Sequence, residues 1–185
     1  MADAFPDLAT LERVLPGRPL PPVEGPGRPA AVLVCLSEGA VLLLRRATHP
    51  LDPWSGHISL PGGRHEHEDE DLLATALRET HEEVGLDRDR LHVLGTLGEF
   101  AGRGAGVRAI RIAAFVAELA TRPELVLSGE VETAHWVPLT DLVETTAEVS
   151  ELRTPVPAYR PAVEGGELVV WGITFGILGL LRQAG

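Results

Sequence analysis

The sequence predicts an α/β domain, and three features carry that prediction. Two short apolar runs rich in β-forming residues, 30–36 and 40–46, are separated by a Ser-Glu-Gly turn, which is typical of a hairpin. Two further β-rich stretches, 91–102 and 107–119, follow later, and the second is apolar enough for a central strand. Between these pairs, apolar residues at helical spacing lead to Gly85, a residue suited to closing a helix.

Composition excludes several classes of function. At 185 residues the chain is about the size of one domain with a sizeable core. Its net charge of −11 disfavours the cationic surface that nucleic acids require, so we expect a small-molecule substrate and no nucleic-acid partner. The single Cys35 indicates a reducing compartment, and the sequence has neither an opening signal segment nor a membrane-length apolar run. We therefore expect a cytoplasmic monomer or homodimer that does not bind a membrane.

The first 29 residues differ in composition from the rest. Residues 6–15 have the pattern of a short amphipathic helix with Pro6 near its start. Residues 16–29 are rich in proline and glycine, which favours an extended arm over a second domain. We expect residues 1–29 to form this helix and arm, and 30–185 to form the main domain. The arm then either covers the core or reaches a partner chain.

Residues 60–86 are the stretch around which the chain is organised. The diglycine Gly62-Gly63 leads through a polar loop into the helix that ends at Gly85. Residues three and four apart share a helix face, so one face carries three glutamates: Glu79, Glu82 and Glu83. Another face carries the residues expected to be buried: Leu73, Leu77, Thr80 and Val84.

Three carboxylates on one helical face repel one another, and without a partner some of them would raise their pKa to lose charge. A divalent cation removes this repulsion, and oxygen ligands suit Mg²⁺ or Mn²⁺. The alternative is an acidic face that is solvated and binds nothing. Histidines nearby give no zinc spacing, and we expect His65 and His67 to be solvated loop residues.

The order of residues around the glutamates resembles the Nudix box of the Nudix hydrolases. Arg78, Glu79, Glu82, Glu83 and Gly85 occupy the second half of that motif in register. Thr80 stands where an aliphatic residue is usual. Glu70 takes the position of the first glutamate, although its distance from Gly63 is one residue longer than in the general pattern. The resemblance implies a Nudix αβα sandwich, in which a mixed sheet lies between helices, and it makes 30–185 a Nudix hydrolase domain.

Two further segments are similar to the coenzyme A pyrophosphatases of this family, in which the one-residue insertion is also usual. The loop 54–63, WSGHISLPGG, follows a strand that ends in Arg45 and Arg46, although Trp54 replaces a histidine. Near the end of the chain, Trp171-Gly172-Ile173-Thr174 fits the subfamily's closing segment. One departure is Arg111-Ile112, which stands where a Pro-Val pair is expected.

The resemblance also implies roles for individual residues. The catalytic set is Arg78, Glu79, Glu82, Glu83 and Glu130, and the metal set is Glu70, Glu79, Glu82 and Glu83. The substrate-binding set is Arg45, Arg46, Gly62, Gly63, Arg103 and Arg108. Glu70 would hold the start of the helix or a metal-bound water, and Arg78 would orient Glu82 by a hydrogen bond. Glu130 would bind metal or take a proton from water, unless it is a solvated loop residue. The arginines closing the strand would pair with phosphate or remain solvated.

Together these observations predict metal-dependent hydrolysis of the diphosphate of coenzyme A or its thioesters, with Mg²⁺ or Mn²⁺ as cofactor. The products would be 3′,5′-ADP and 4′-phosphopantetheine or its acylated form. Two alternatives stay open. One is a Nudix hydrolase that acts on ADP-ribose or a nucleoside triphosphate, and the other is a non-catalytic ligand sensor on the same fold.

Overall fold

The computed structural model describes residues 4–25, 27–49, 54–102, 110–150 and 152–185. Its helices are α1 Leu8–Val14, α2 Leu72–Val84 and α3 Gly172–Arg182, with short 3₁₀ helices at Arg88–Arg90 and Leu139–Asp141. Its strands are β1 Arg28–Ser37, β2 Ala40–Arg46, β3 Ile58–Ser59, β4 Gly62–Arg64, β5 His92–Gly102, β6 Ile110–Glu118, β7 Val131–Pro138, β8 Glu144–Ala147, β9 Val156–Tyr159, β10 Ala162–Val163, β11 Gly166–Glu167 and β12 Val170–Trp171.

A parallel pair of strands forms the middle of the main sheet. β1 and β6 run side by side from Arg28 opposite Ile110 to Leu36 opposite Glu118. β5 pairs antiparallel with β6 on the outer side. On its other side β1 pairs antiparallel with β4 near its start and with β2 at its end, and β2 in turn pairs with β3 and β7. The seven-stranded sheet is therefore mixed, as the resemblance implies.

Alternation along β1 divides the core into two layers. Leu33 and Cys35 point to the face covered by α2, whereas Val34 and Leu36 point to the face covered by α1 and α3. Both layers are buried, and the near-continuous apolar run of β1 is what a strand covered on both faces requires. The predicted αβα sandwich is thus confirmed, and Cys35 is a buried core residue.

The expected hairpin between β1 and β2 is also present. Glu38 and Gly39 both have positive φ, 49° and 71°, which is the conformation of a two-residue hairpin turn. Beyond the main sheet, β12, β9 and β8 form a three-stranded antiparallel sheet, and β10 and β11 form a small hairpin. No helix in the described part of the chain is both long and apolar enough to cross a lipid bilayer.

The N-terminal helix packs into the same layer as the C-terminal one. Asp7 caps α1 by accepting a hydrogen bond from the Thr10 N–H, and Leu11 and Leu15 are fully buried. The arm that follows is held by Arg111, whose guanidinium donates to the carbonyls of Glu24 and Pro22. Val23 of the arm packs against the core layer that α2 covers, which is one of the two roles expected for the arm; the other, contact with a partner chain, stays a prediction. β1 begins at Arg28, and the division of the chain at residue 29 stays a prediction.

The closing helix α3 contacts β5 through a glycine. A Cβ on Gly176 would overlap the ring of Phe100, so the glycine that weakens the helix by about 1 kcal/mol also lets an aromatic side chain pack against it. Ile177, Leu178 and Leu181 are buried in the layer shared with α1. Packing therefore offsets the low helix propensity of this segment.

Arg182, in the last turn of α3, connects four elements. Its guanidinium lies 4.6 Å from the ring centre of Phe5 and 5.3 Å from that of Tyr159. It also donates to a Glu144 carboxylate oxygen at 2.6 Å and to the Leu142 carbonyl at 3.0 Å. The Arg182 side chain is only 14% exposed, so its ring contacts and its hydrogen bond to the Leu142 carbonyl are shielded from water, whereas Glu144 is 58% exposed. These contacts fix the end of α3 against the N-terminal segment and β9.

We expect Arg182→Ala to lower the free energy of unfolding by about 2–3 kcal/mol, because it removes two cation–π contacts and the part-buried hydrogen bond to the Leu142 carbonyl. Chemical denaturation monitored by circular dichroism measures the loss. Arg160→Ala is the matched control, since Arg160 contacts Glu167 at the same 2.6 Å but both side chains are nearly half exposed. Equal losses in the two variants would contradict the role given to Arg182.

Candidate functional site

Helix α2 is fixed at both ends by caps. Asp71 accepts a hydrogen bond from the Ala74 N–H at 2.7 Å, and Gly85 closes the helix in the left-handed conformation with φ 70°. The predicted end of the helix is confirmed. Leu77, Thr80 and Val84 are buried, as expected. Leu73 is only half-buried, and Leu72 and Ala76 are buried instead.

The three glutamates of α2 differ in exposure. Glu82 is 54% exposed and Glu79 is 18% exposed, whereas Glu83 is buried at 5%. Glu83 accepts a hydrogen bond from the backbone N–H of Gly62 at 2.9 Å. A Cβ on Gly63 would overlap the carboxylate of Glu79. The diglycine thus lies directly against two of the carboxylates, which only residues without side chains permit.

A fourth carboxylate belongs to this cluster. Burial, and then the charges of Glu79 and Glu130, raise the pKa of Glu83 to about 7. The hydrogen bond from Gly62 and the charge of Arg46 lower this pKa but do not outweigh burial. Burial also raises the pKa of Glu79, with the charges of Glu82 and Glu130 adding to it and Arg78 opposing it. Glu130 is exposed and precedes β7, so the structure brings it to the helix from far away in the sequence.

The loop before β7 is tied to α2, which explains how Glu130 reaches the cluster. The N–H groups of Val126 and Ser128 donate to the carbonyls of Val84 and Glu83, two carbonyls at the open end of the helix. The Glu130 carbonyl accepts from the Ala47 N–H at 2.8 Å, just past the end of β2. Backbone hydrogen bonds therefore hold Glu130 between α2 and β2.

Arg78 contacts the cluster from one side and is itself held by Asp69. Its guanidinium donates to Glu79 at 3.2 Å and to Glu82 at 3.1 Å, so it orients Glu82 as expected. It also makes two parallel hydrogen bonds to the Asp69 carboxylate, at 2.8 and 3.0 Å, and one to the Arg64 carbonyl. This arginine thus connects the acidic cluster to the loop between β4 and α2.

Sequence reasoning missed Asp69. Its carboxylate accepts four hydrogen bonds, from the Glu66 N–H, the Thr75 hydroxyl and two nitrogens of Arg78. The Arg78 guanidinium, and then these other donors, hold the pKa of Asp69 well below its usual range despite its burial. The spacing from Gly63 could have found it, because Asp69 stands where the general motif without an insertion has its acidic residue.

Glu70, which the motif pointed to, is exposed next to this residue. The expectation that it holds the start of the helix is wrong, since Asp71 is the cap. A role for Glu70 at a metal-bound water stays a prediction. His65 is also not a solvated loop residue, because it is half-buried and its Nδ1 lies 2.9 Å from the Thr75 hydroxyl. His67 is exposed, as expected.

The two arginines that close β2 act on opposite faces of the sheet. The charge of Arg46 acts on Glu83, on the α2 side. Arg45 acts on His135, whose pKa is lowered first by burial and then by this charge. The structure therefore brings together Glu79, Glu82, Glu83, Glu130, Arg46, Arg78, Gly62 and Gly63. Arg103 and Arg108 lie outside the described residues, so their proposed contact with substrate stays a prediction.

Comparison with known proteins identifies the family and the fold of this chain. The NUDIX domain family model matches residues 26–159, more than two thirds of the chain. The chain belongs to the Nudix family. Nudix hydrolase 15, mitochondrial, of Arabidopsis thaliana is 33% identical over 162 residues, which are 80% of this chain and 55% of that protein. The chain spans about half or less of the length of the curated relatives it matches, between 33 and 55%.

Solved structures show the same Nudix fold. An Ap4A hydrolase of C. elegans, crystallised as a binary complex, has a TM-score of 0.53 and 24% identity, over 62% of this chain and 82% of that one. The NUDIX domain of Shewanella oneidensis NrtR, crystallised with ADP ribose, has a TM-score of 0.52 and 22% identity, over 64% and 77%.

We expect Asp69→Asn to lower the free energy of unfolding by about 2–3 kcal/mol at neutral pH, because Arg78 loses its bidentate charged partner. The folded-state pKa of Asp69 is lowered, so its contribution is complete above the unfolded pKa of about 3.9 and is lost as the pH falls below it. Urea unfolding of both proteins from pH 7 downward should therefore show the difference shrinking in acid. Glu70→Gln, one residue away and exposed, is the control and should change stability little.

Proposed function

We propose that this Nudix protein hydrolyses the diphosphate of coenzyme A or its thioesters with the help of a divalent cation. The observation that carries the hydrolase part is the carboxylate cluster against the diglycine, in which burial and then the charges of Glu79 and Glu130 raise the pKa of Glu83. Arg46 lies beside this cluster and supplies positive charge for a phosphate. A ligand sensor would have no need to retain such mutually repelling carboxylates.

The coenzyme A part rests on two segments that resemble the coenzyme A pyrophosphatases, and these segments are in contact. The Thr174 hydroxyl, which is buried, donates to the Ile58 carbonyl at 2.9 Å. The rings of His57 and Trp171 lie 5.1 Å apart. The backbone of His57 in turn accepts from the Arg46 N–H. The loop before the box and the closing segment thus form one surface that continues into the strand end next to the acidic cluster.

The donor set fits a hard divalent cation such as Mg²⁺ or Mn²⁺. The carboxylates available to hold it are Glu79, Glu82, Glu83 and Glu130, all oxygen donors. The raised pKa of Glu83 fits as well, because the same like charges and burial that disfavour its ionised form would be offset by a cation. When bound, such a cation supplies positive charge to the diphosphate oxygens and lowers the pKa of water.

The residues of the chain have distinct roles in the proposed reaction. The backbone at Gly62 and Gly63 allows the diphosphate to approach closely, since no side chain stands in the way. Arg46 binds a phosphate oxygen, and Arg78 holds Glu79 and Glu82 in place. Glu130, exposed at the edge of the cluster, is positioned to accept a proton from the attacking water.

Hydrolysis of coenzyme A, ADP-ribose, NADH and nucleoside triphosphates, each assayed with Mg²⁺ and with Mn²⁺, tests the proposal. We expect the highest kcat/KM for coenzyme A or an acyl-coenzyme A, with 3′,5′-ADP as a product. Preference for ADP-ribose or a nucleoside triphosphate would support hydrolase activity but contradict coenzyme A as the substrate. Binding without turnover of any substrate would favour the sensor.

We expect Glu83→Gln to keep the fold and to lower kcat by roughly a hundredfold or more, because a metal-binding carboxylate contributes several kcal/mol to the barrier. Steady-state kinetics at saturating cation measures the effect. Parent-like turnover of folded Glu83→Gln would contradict its assignment.

Mg²⁺ or Mn²⁺ should raise the Tm of the parent protein more than the Tm of the double variant Glu82→Gln/Glu83→Gln, because the double variant lacks two of the carboxylates proposed to hold the cation. Glu124→Gln, an exposed change in the following loop, should behave like the parent. An equal rise in Tm in the parent and the double variant would show that the cation binds elsewhere.

Recognition of the 3′-phosphate of coenzyme A requires a positively charged side chain outside the acidic cluster. We expect the protein to prefer coenzyme A over dephospho-coenzyme A roughly tenfold or more, through an arginine among Arg45, Arg46, Arg103 and Arg108. The ratio of kcat/KM for the two substrates, measured in the parent and in each Arg→Ala variant, identifies the residue. A parent that treats both substrates alike would show that the 3′-phosphate is not recognised.

A further inference from the structure

Three potential metal ligands from separate elements converge on the face of the sheet that α1 covers. Glu12 of α1, His92 of β5 and Glu118 of β6 each offer one ligand atom, and these atoms all lie within 4.8 Å of one another. His92 and Glu118 are direct cross-strand neighbours, with 3.8 Å between the imidazole Nδ1 and a carboxylate oxygen. In the described part of the chain, no other three histidine, cysteine or acidic side chains have ligand atoms that all lie this close together.

The backbones that carry these ligands are fixed by the core. Leu11 and Leu15 bury α1 against the sheet, on either side of the turn that carries Glu12. The Leu15 carbonyl lies against Gly95 of β5, where any Cβ would overlap it. The register of β5 on β6 fixes His92 opposite Glu118. Because the three backbones are held without any metal, the ligands need little reorganisation to bind one.

The charge of the group favours a cation. Two carboxylates lie beside one imidazole, and within the described residues neither Glu12 nor Glu118 has an arginine as an ion-pair partner. The sequence contains no lysine that could take that place. A bound cation would therefore supply positive charge beside two carboxylates that have no arginine partner among the described residues.

We propose that Glu12, His92 and Glu118 bind a divalent transition-metal ion, with Zn²⁺ as the best fit, at a site separate from the acidic cluster of α2. Zn²⁺ binds both imidazole nitrogen and carboxylate oxygen, so one His and two Glu offer three acceptable protein ligands and leave a fourth position for water. Mg²⁺ prefers oxygen ligands alone, so it fits the four-glutamate cluster better than this group. The bound ion ties α1 to β5 and β6.

Calorimetric titration with Zn²⁺ tests this site in the Glu82→Gln, Glu83→Gln background, which weakens binding at the acidic cluster. We expect one Zn²⁺ to bind and to raise the Tm. His92→Ala in the same background should weaken the affinity roughly tenfold or more and remove most of the Tm shift, because it deletes the only nitrogen donor. Glu118→Gln should weaken it as well, and excess Mg²⁺ should not displace the ion.

The matched control is His81→Ala. His81 also faces a carboxylate, with 3.1 Å between its Nδ1 and Asp87, and both side chains are exposed, but this pair lacks a third ligand. Zn²⁺ binding should survive His81→Ala unchanged. The proposal is overturned if the background protein binds no Zn²⁺, or if His92→Ala binds it as tightly as His81→Ala does. Since the readouts are binding and Tm, the result does not depend on hydrolase activity.

Discussion

The bidentate pair between Asp69 and Arg78 is the contact on which the acidic cluster depends. Glutamates packed this closely would repel one another, and Arg78 counters the repulsion by donating to Glu79 and Glu82. A guanidinium can do so only if it is held in place, and Asp69 holds it with two parallel hydrogen bonds. Asp69 is in turn fixed by Thr75 and the Glu66 N–H. The loop before α2 is therefore part of the site, although it carries none of the four glutamates of the cluster.

The scaffold beneath this site is the parallel pair of β1 and β6, buried on both faces. β1 pairs with β6 along the whole of one edge, and on its other edge β4 pairs near its start and β2 at its end, which places the diglycine of β4 against β1. A Cβ on Gly62 would overlap the backbone of β1, so the diglycine lies tightly against this strand as well as against the carboxylates. Glu83 thus receives its Gly62 hydrogen bond from a strand whose position is set by the core.

Local sequence patterns predicted those parts of the molecule that local physics determines. Gly85 closes α2 because a left-handed residue is needed there, and Glu38-Gly39 forms the hairpin turn for a similar reason. Helical spacing put Glu79, Glu82 and Glu83 on one side. It did not separate the buried Glu83 from the exposed Glu82, because burial depends on where the diglycine packs.

Contacts between distant segments escaped prediction from the sequence. Glu70 and Asp69 are adjacent acids, and only the loop conformation decides which of them turns toward Arg78. The loop hydrogen bonds that bring Glu130 to α2 use backbone groups, which carry no signature in the sequence. Likewise the composition of residues 1–29 indicated an arm, but not that Leu11 and Leu15 complete the layer under α3.

In the proposed function, the chemistry and the choice of substrate reside in different parts of this chain. The carboxylates and the diglycine would act on a diphosphate, a group that coenzyme A, ADP-ribose and NADH all contain. Discrimination among them needs contacts beyond the diphosphate, because a uniform diphosphate contact contributes equally to each substrate. The contact between His57, Ile58, Trp171 and Thr174 adjoins the cluster through Arg46 and is built from residues outside the box. Ile58 and Thr174 are buried, so only the partly exposed His57 and Trp171 can meet a ligand there. On the proposed function, changes at these two residues would alter the preferred substrate while Glu79 and Glu83 keep their geometry.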